Sequence, residues 1–456
     1  DKADPRPADP RPGNPLVRAA TVIVVAPLSP DVPWEAFICQ LEDALAGMGS
    51  ITRLTLERVV ENFGRIDILQ SRVDAVDSLC FQAWLSNQEQ LYDYVLYSAD
   101  MHLTPQGELT PWTQRCVRQA DLILFVGQAG RDPAPSPLEK AIQQASPRAQ
   151  TELVLIQPAS VDHPRGTRRW LEPRRVRFHH HIRLSYQEDF QHLARYLAGR
   201  GVGLVLGGGA ARGFAHVGVY QALREHNIPV DFVGGTSMGA VLGAMVASGM
   251  DEQTVLEVVK DVSSPLKLFD PTLPAVSFFS SHKVTRVLKR VFGETYIEDL
   301  WIPFFCISSN LTRAEAMVHR DGKLWEAVRA SSAIPGAYSP MVYNGDLLVD
   351  GAVLNNLPVD VMYQIVRGGQ IIAVNVIPEI DMDQKYDFGP SVSGWEQVLD
   401  RLNPLAVFST ASDAAPAPWI FESLMRVLAL NDVIAARSTR WMADLYITPP
   451  VERYNM

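Results

Sequence analysis

A serine between two glycines is the first candidate for chemistry in this sequence. Gly235-Thr-Ser237-Met-Gly239 has the pattern GxSxG and lies between a short apolar run and a segment rich in glycine and alanine. A strand–turn–helix corner of this kind holds the serine in a strained turn that projects its hydroxyl group, and the flanking glycines leave room for the backbone. We interpret Ser237 as a nucleophile, with Gly235 and Gly239 shaping its turn; small residues selected only for packing are the alternative.

A glycine-rich turn after the apolar run 203–206 is the second candidate. Dinucleotide binding needs glycines at i, i+2 and i+5, but starting from Gly207 places Arg212 at i+5, and starting from Gly208 places Ala210 at i+2. The P-loop pattern fails as well, because no Lys-Ser or Lys-Thr pair follows. Backbone N–H groups in such a turn can bind an oxyanion, each contributing about 10²–10³ in rate. The predicted oxyanion hole consists of Gly207, Gly208, Gly209, Ala210, Arg212 and Gly213.

An aspartate provides the third candidate, in Asp350-Gly-Ala directly after the apolar run 347–349. An Asp-Gly pair alone is usually just a turn. A Ser, Asp, His triad in that order is impossible with this aspartate, because no histidine follows it, and only His282 and His319 lie between it and Ser237. A carboxylate that acts directly on the serine, accepting its proton and returning it to the leaving alcohol, is the economical alternative.

Together these motifs resemble those of the patatin-like phospholipases, a family with a Ser–Asp dyad and a glycine loop as oxyanion hole. The segment 329–336 also looks like that family's helix ahead of the aspartate strand. Further stretches are similar to the catalytic region of neuropathy target esterase and its bacterial relatives: 110–116, 118–121, 298–303, 393–395 and 403–404. The resemblance implies a lysophospholipase that releases fatty acid from lysophosphatidylcholine at intracellular membranes. Ala210 and Ala352 stand where relatives often have glycine, and we expect activity to survive both.

The elements around these motifs predict two α/β domains. Residues 1–18 repeat an Ala-Asp-Pro-Arg-Pro unit and are predicted to be a flexible linker. Apolar strands alternate with helical stretches over 19–195, which predicts a small accessory α/β domain with a parallel sheet. For 196–456 we expect a patatin-like three-layer α/β/α domain with a mainly parallel sheet and a C-terminal helical extension.

No convincing chemistry is found in the first domain, which we interpret as structural or regulatory. Its run His179-His180-His181, close to three arginines, could bind a metal or an anion. Adjacent histidines rarely fit one metal geometry, so a solvated basic loop is the preferred interpretation. We predict no metal site and no cofactor.

Composition narrows the class of partner. The 456 residues are 47% hydrophobic and 20% charged, with a formal net charge of −10, which is typical of a globular protein and argues against nucleic acid as a partner. Four cysteines without CxxC spacing fit a reducing compartment. No apolar run long enough to span a bilayer occurs. The chain begins at Asp1, and we expect an upstream regulatory or anchor region in a longer protein.

An enzyme that acts on lipid must approach a membrane surface. The apolar stretch 266–279 suits a lid or insertion loop, and 419–428 could present an apolar helical face; covering the second sheet is the alternative for both. We therefore expect a cytoplasmic protein, peripheral at the inner face of a membrane, with phospholipid or lysophospholipid as substrate. The competing hypotheses are an esterase or thioesterase for soluble substrates, a catalytically idle regulatory scaffold, and a nucleotide-binding protein.

Overall fold

The computed structural model describes residues 20–64, 76–262, 270–273, 275–366, 368–377, 423 and 439–451. The predicted linker 1–18 and the stretches 393–395 and 403–404 lie outside the described residues, as does the predicted apolar helix 419–428 except for residue 423. The predicted lid 266–279 is described only from residue 270 onward, without residue 274.

The first part of the chain forms a six-stranded sheet. Its strands are β1 (Thr21–Pro27), β2 (Ile51–Leu54), β3 (Tyr94–Ser98), β4 (Leu122–Gln128), β5 (Gln150–Gln157) and β6 (His179–Arg183). Its helices are α1 (Trp34–Ala46), α2 (Leu56–Phe63), α3 (Val76–Leu91), α4 (Pro111–Gln119), α5 (Pro137–Ala145), α6 (Thr167–Leu171) and α7 (Gln187–Leu197). The strands pair in the order β2-β3-β1-β4-β5-β6, and all the pairs are parallel.

Strand β1 shows why its residues form a central parallel strand. Val22 and Val24 pack into the core on one face of the sheet, while Ile23 and Val25 pack into the core on the other face. Because both faces are covered, the strand is a continuous apolar run rather than an alternating one. Helix α1 begins at Trp34 and ends at Ala46, as its apolar spacing predicts.

The second part of the chain forms an eight-stranded sheet. Its strands are β7 (Val202–Leu206), β8 (Phe232–Thr236), β9 (Phe304–Asn310), β10 (Glu315–His319), β11 (Met341–Tyr343), β12 (Asp346–Asp350), β13 (Gln370–Val374) and β14 (Leu445–Ile447). Its helices are α8 (Ala215–Glu225), α9 (Met238–Ala247), α10 (Glu252–Val262), α11 (His282–Phe292), α12 (Leu324–Ser331) and α13 (Val359–Val366). The strand order is β11-β12-β9-β8-β7-β13-β14, with β10 paired to β9.

The centre of this second sheet is parallel, and only the β9 side carries antiparallel partners, β10, β12 and β11. Helix α9 packs on one face through Leu242 and Met245, and helix α13 packs on the other face through Met362 and Ile365. These layers confirm the predicted α/β class, a mainly parallel three-layer arrangement preceded by a smaller α/β unit. The predicted boundaries at 18/19 and 195/196 stay predictions.

The predicted solvated loop at 179–181 is wrong, because the histidine run is strand β6 and His180 and His181 are buried. His179 and His181 both donate from Nε2 to the carbonyl oxygen of Glu298, at 2.9 and 3.0 Å. Burial lowers the pKa of His179 to about 4 and that of His181 to about 3, so both rings are neutral at pH 7. The run joins the two sheets by hydrogen bonds that only the folded chain creates.

A second set of contacts joins the two sheets. The buried Asp231 carboxylate, just before β8, accepts hydrogen bonds from Arg195 and from the N–H of Val202, and it pairs with His192 at 2.8 Å. Although burial raises the pKa of Asp231, the bonds from His192 and Arg195 outweigh it and lower the pKa to about 2. The Trp301 indole also donates to the carbonyl oxygen of Asp162 at 2.9 Å.

None of the helices among the described residues combines the length and the apolar character needed to cross a bilayer.

Candidate active site

Ser237 occupies the corner between strand β8 and helix α9. Its backbone has φ +55° and ψ −121°, a region that residues with a Cβ rarely adopt and that typically costs about 1–3 kcal/mol. The strain is held by the elements on either side, since β8 is buried along its whole length and α9 packs tightly against it. Ser237 therefore precedes the first residue of helix α9 and lies at the N-terminus of that helix.

The two flanking glycines are required by close backbone approach. A Cβ on Gly239 would lie 2.7 Å from the carbonyl oxygen of Gly207 and closer still to that of Leu206. A Cβ on Gly235 would lie 2.6 Å from the backbone of Gly239. Real Cβ atoms do not make such contacts, so any larger residue would push strand β7 away from the corner.

Ser237 and Asp350 are in direct contact. The Ser237 hydroxyl donates to Oδ2 of Asp350 at 2.6 Å, across 113 positions of sequence. Both residues are buried, with 5% and 1% of their surface exposed. The structure thus brings together the two residues that the sequence proposed as nucleophile and base.

Among the described residues, no cationic side chain pairs with Asp350. Its Oδ1 accepts a hydrogen bond from the N–H of Ala352 at 2.9 Å, and its own N–H donates to the carbonyl oxygen of Ala333. Burial raises the pKa of the Asp350 carboxyl to about 7, although the bonds from Ser237 and Ala352 act in the opposite direction. A carboxylate with a pKa near neutrality is suited to accept and return a proton.

Histidine does not take part in this contact. The four histidines of residues 196–456 all lie in the described part of the chain, and none has a hydrogen bond to Ser237 there. His282 pairs with Ser280, and His319 pairs with Ser308 at 2.7 Å. His216 donates to the carbonyl oxygen of Gly207, and burial lowers its pKa to about 4.

The glycine-rich turn lies against the Ser237 corner. A Cβ on Gly208 would lie 3.0 Å from Cβ of Ser237, and a Cβ on Gly213 would lie 2.7 Å from Cβ of Met238. The turn continues into a short 3₁₀ helix, Ala210–Phe214, that contains Arg212 and leads into α8. The six residues of the predicted oxyanion hole therefore lie on one turn beside the nucleophile.

The N–H groups of this turn differ in availability. Gly207 donates to the carbonyl oxygen of Val374, Gly208 to Oδ1 of Asn356, and Arg212 to the carbonyl oxygen of Gly209. No acceptor within the described ranges bonds the N–H of Gly209 or Ala210. Since an oxyanion needs donors that are free to bond it, Gly209 and Ala210 are the better-placed members.

Ala210 adopts a φ of +47°, in the left-handed region that favours glycine. The departure from the family's glycine noted in the sequence therefore falls at a strained position. Its side chain does not remove the N–H group, which keeps the loop able to donate.

Two polar residues that the sequence did not single out hold the site together. Asn356 bonds Gly208 in both directions: its Oδ1 accepts from the Gly208 N–H at 3.1 Å, and its Nδ2 donates to the Gly208 carbonyl oxygen at 3.2 Å. Ser331, at the end of α12, accepts a hydrogen bond from the N–H of Ser237 at 2.9 Å. Ser331 lies in the family-like segment 329–336, but no sequence pattern predicted its hydrogen-bond partner. For Asn356, the only signal in the sequence was its position six residues after Asp350.

The chain matches two family models. One, described as patatin-like phospholipase, matches residues 204–363, and the other, described as neuropathy target esterase family P-loop like domain, matches residues 19–198. Residues 204–363 belong to the patatin-like phospholipase family. The described site residues Gly207 to Gly213, Ser237 and Asp350 all lie within the first match.

Similar proteins extend the match to nearly the whole chain. Neuropathy target esterase sws of Drosophila melanogaster is 33% identical over 98% of this chain and 33% of that protein. Patatin-like phospholipase domain-containing protein 7 of Rattus norvegicus is 34% identical over 97% of this chain and 34% of its own length, and protein 6 of Homo sapiens is 34% identical over 96% and 33%. The chain spans about a third of the length of these relatives.

Among solved structures, VipD from Legionella pneumophila aligns with 41% of this chain and 51% of its own, at 14% identity and a TM-score of 0.31, which is too low to establish a common fold. After β1 the chain reads Leu28-Ser-Pro-Asp-Val-Pro33, and no glycine-rich phosphate loop stands there.

Proposed function

We propose that this patatin-like phospholipase domain hydrolyses acyl esters of lysophospholipids or phospholipids through a Ser237–Asp350 dyad. The observation that carries the proposal is the 2.6 Å hydrogen bond from the Ser237 hydroxyl to a buried carboxylate that has no histidine beside it. The relatives named for neuropathy target esterase and patatin-like phospholipase support lipid esters as the substrate class.

In the first half of the reaction, the Ser237 oxygen attacks the ester carbonyl carbon while Asp350 accepts the hydroxyl proton. The resulting oxyanion would bond the N–H groups of Gly209 and Ala210. Collapse of this tetrahedral intermediate breaks the bond to the leaving alcohol, which takes the proton from Asp350. The acyl group then remains as an ester on Ser237.

In the second half, Asp350 accepts a proton from water as the water attacks the acyl-enzyme. The new tetrahedral intermediate expels the Ser237 oxygen, which recovers the proton from Asp350. One acyl ester and one water thus give a fatty acid and an alcohol, and both residues return to their starting states. Ser331 and Asn356 act as positioning residues, since each holds backbone that the reacting groups depend on.

Contact with lipid is proposed for an exposed apolar group near residues 272–279. Leu273 is 82% exposed and Val276 is 70% exposed, and Phe278 is exposed as well. Large apolar side chains at the surface favour a lipid interface when they are clustered. We propose that this group lets the protein bind peripherally to a membrane surface, where its substrate is found.

The experiment is release of fatty acid from lysophosphatidylcholine micelles by the wild-type chain, Ser237→Ala and Asp350→Asn. Because each substitution removes half of a unit that acts together, each should reduce kcat by at least about 10³-fold. Asp346→Asn is the matched control, four residues earlier on β12, where the carboxylate pairs with Arg313 instead.

Activity retained in Asp350→Asn would show that another group is the base. A folded wild-type chain that hydrolyses short soluble esters through Ser237, with no preference for micelles, would move the assignment to a soluble-ester hydrolase. Folding of each variant is checked by circular dichroism, so that a lost activity is not a lost structure.

A further inference from the structure

A polar cleft on the outer side of α11 and α12 is separate from the dyad. It encloses about 760 Å³. Its basic side chains are His282, Arg286, Lys289 and Arg329, and its hydroxyl groups come from Thr272, Ser277, Ser280, Ser281, Thr285 and Ser339. None of the described residues that line it is acidic. Such a lining attracts an anion.

Arg329 is the strongest indication of an anion site. It is only 4% exposed, its Nη2 donates to the carbonyl oxygen of Ser339 at 2.9 Å, and its Nη1 has no partner among the described residues. Burial lowers the pKa of its guanidinium, and no carboxylate in the described chain compensates the charge. A buried cation without a counter-charge is costly unless an anion lies close to it.

A second donor without a partner among the described residues lies on the same helix, α12. The Nε1 of Trp325, one turn before Arg329 on α12, is buried and has no acceptor within the described ranges. The Lys289 ammonium lies 4.3 Å from the centroid of the Trp325 ring, which holds this cation at the cleft. An oxygen-rich anion in the cleft would supply a counter-charge to Arg286, Lys289 and Arg329.

The carboxylates around the cleft are engaged elsewhere. Glu294 accepts a hydrogen bond from Lys323 at 2.7 Å, and Asp261 accepts one from Arg290 at 2.9 Å. Asp270 lies 3.7 Å from Lys283. None of these carboxylates forms an ion pair with Arg286 or Arg329 in the described part of the chain, although Glu294 also interacts electrostatically with Lys289.

The edge of the cleft is apolar. Val342 lines it and is 68% exposed, and the exposed Leu273 and Val276 lie in the chain between the lining residues Thr272 and Ser277. A cation-lined cleft with an apolar edge matches the boundary of a phospholipid layer, where a phosphate lies next to acyl chains.

We propose that this cleft binds a phosphate group, and that its apolar edge favours a phospholipid headgroup as the source of that phosphate. Arg286, Lys289 and Arg329 supply the charge, and the hydroxyl groups supply further donors. The site is distinct from the Ser237 corner, and binding requires no turnover, so the proposal does not depend on the proposed reaction.

The test compares the wild-type chain, the double variant R286Q/K289Q and the control R290Q. Arg290 lies on the same helix but pairs with Asp261 and does not line the cleft. Inorganic phosphate binding is measured by titration calorimetry and by the rise in Tm that a ligand of the native state produces. The double variant should bind phosphate at least about tenfold more weakly, and R290Q should bind it as the wild type does.

Co-sedimentation with vesicles distinguishes the two sources of phosphate, using phosphatidylcholine alone and phosphatidylcholine with added phosphatidic acid. If the double variant loses both phosphate and the phosphatidic acid-dependent vesicle binding, the site takes a lipid headgroup. If it loses only phosphate, the site takes the free ion. Equal phosphate binding by all three proteins, or none by the wild type, would overturn the proposal.

Discussion

Each of the two sheets has a turn where a buried parallel strand runs into a helix, and the two turns differ in what they expose. After β1, Leu28 and Val32 turn inward and join the cores of their own domain, and the Leu28 N–H donates to the carbonyl oxygen of Val126. After β7 the turn consists of glycines, so backbone atoms, and no bulky side chains, lie beside Ser237. The turn after β1 is thus filled by packed side chains, whereas the turn after β7 has backbone N–H groups beside the nucleophile. We call the turn after β7 the open turn.

Buried carboxylates show the same contrast. In the first domain Glu139 pairs with Arg174 at 2.8 Å, and both side chains are almost fully buried. In the second domain Asp350 is equally buried, and its partners within the described ranges are a hydroxyl group and an N–H group. A buried carboxylate that is paired with a cation stabilises the fold. A buried carboxyl that has no cation beside it has a raised pKa, which is the pKa that a general base needs.

The sharpest way to break this contrast is to place a methyl group at the Ser237 corner, against the backbone where the open turn begins. Gly239→Ala would place a Cβ against the backbone of Leu206 and Gly207, so it should destabilise the fold by about 3 kcal/mol and reduce kcat by more than about 10²-fold. Fatty-acid release and chemical denaturation measure the two effects.

The control is Gly218→Ala on the exposed side of α8, where an added Cβ meets nothing within 4 Å. It should keep full activity and gain up to about 1 kcal/mol, because alanine is the better helix former. Full activity in Gly239→Ala would mean that the tight approach of β7 to the corner is not needed.

Loosening the glycine turn should have a smaller effect. Asn356→Ala removes both side-chain bonds to Gly208, and because the oxyanion donors follow directly in the chain, kcat should fall by about 10–100-fold with little change in KM. Asn355→Ala is the neighbouring control, since its side chain bonds only Asp360. A change confined to KM would assign Asn356 to substrate binding instead.

The raised pKa of the buried Asp350 carboxyl predicts the pH dependence. The ionised carboxylate is the active form and its pKa is about 7, so kcat/KM should fall about tenfold per pH unit below that value and level off above it. Initial rates with a soluble ester, from pH 5 to 9, measure the profile. A profile that is flat from pH 5 upward would indicate a base with the ordinary pKa of an aspartate.

The smallest effect is expected at Ala210, the one alanine in a left-handed conformation within the glycine turn. Ala210→Gly should relieve the strain and stabilise the protein by about 1 kcal/mol, measured as a rise in Tm. Ala211→Gly is the control and should destabilise it, since no positive φ occurs at that residue. Equal shifts in the two variants would show that the φ at 210 carries no strain.

Local patterns predicted much of the fold and part of the site. The alternation of strands and helices over 19–195 and the corner around Ser237 were recognisable because apolar spacing and glycines act within a few residues. The histidine run was misjudged because its polarity suggested solvent, while Glu298, over a hundred residues away, supplies the acceptor that makes its burial possible.

By itself, the sequence determined which residues could react: a serine between glycines after a strand, a glycine turn, and an aspartate with no histidine behind it. Only the tertiary structure decided that Ser237 touches Asp350, that Ser331 and Asn356 hold the surrounding backbone, and that Arg329 is buried with no carboxylate paired to it in the part of the chain that the structure describes. The physical reason is that hydrogen bonding, burial and pKa depend on neighbours brought together across 90 or more positions, which no local spacing encodes.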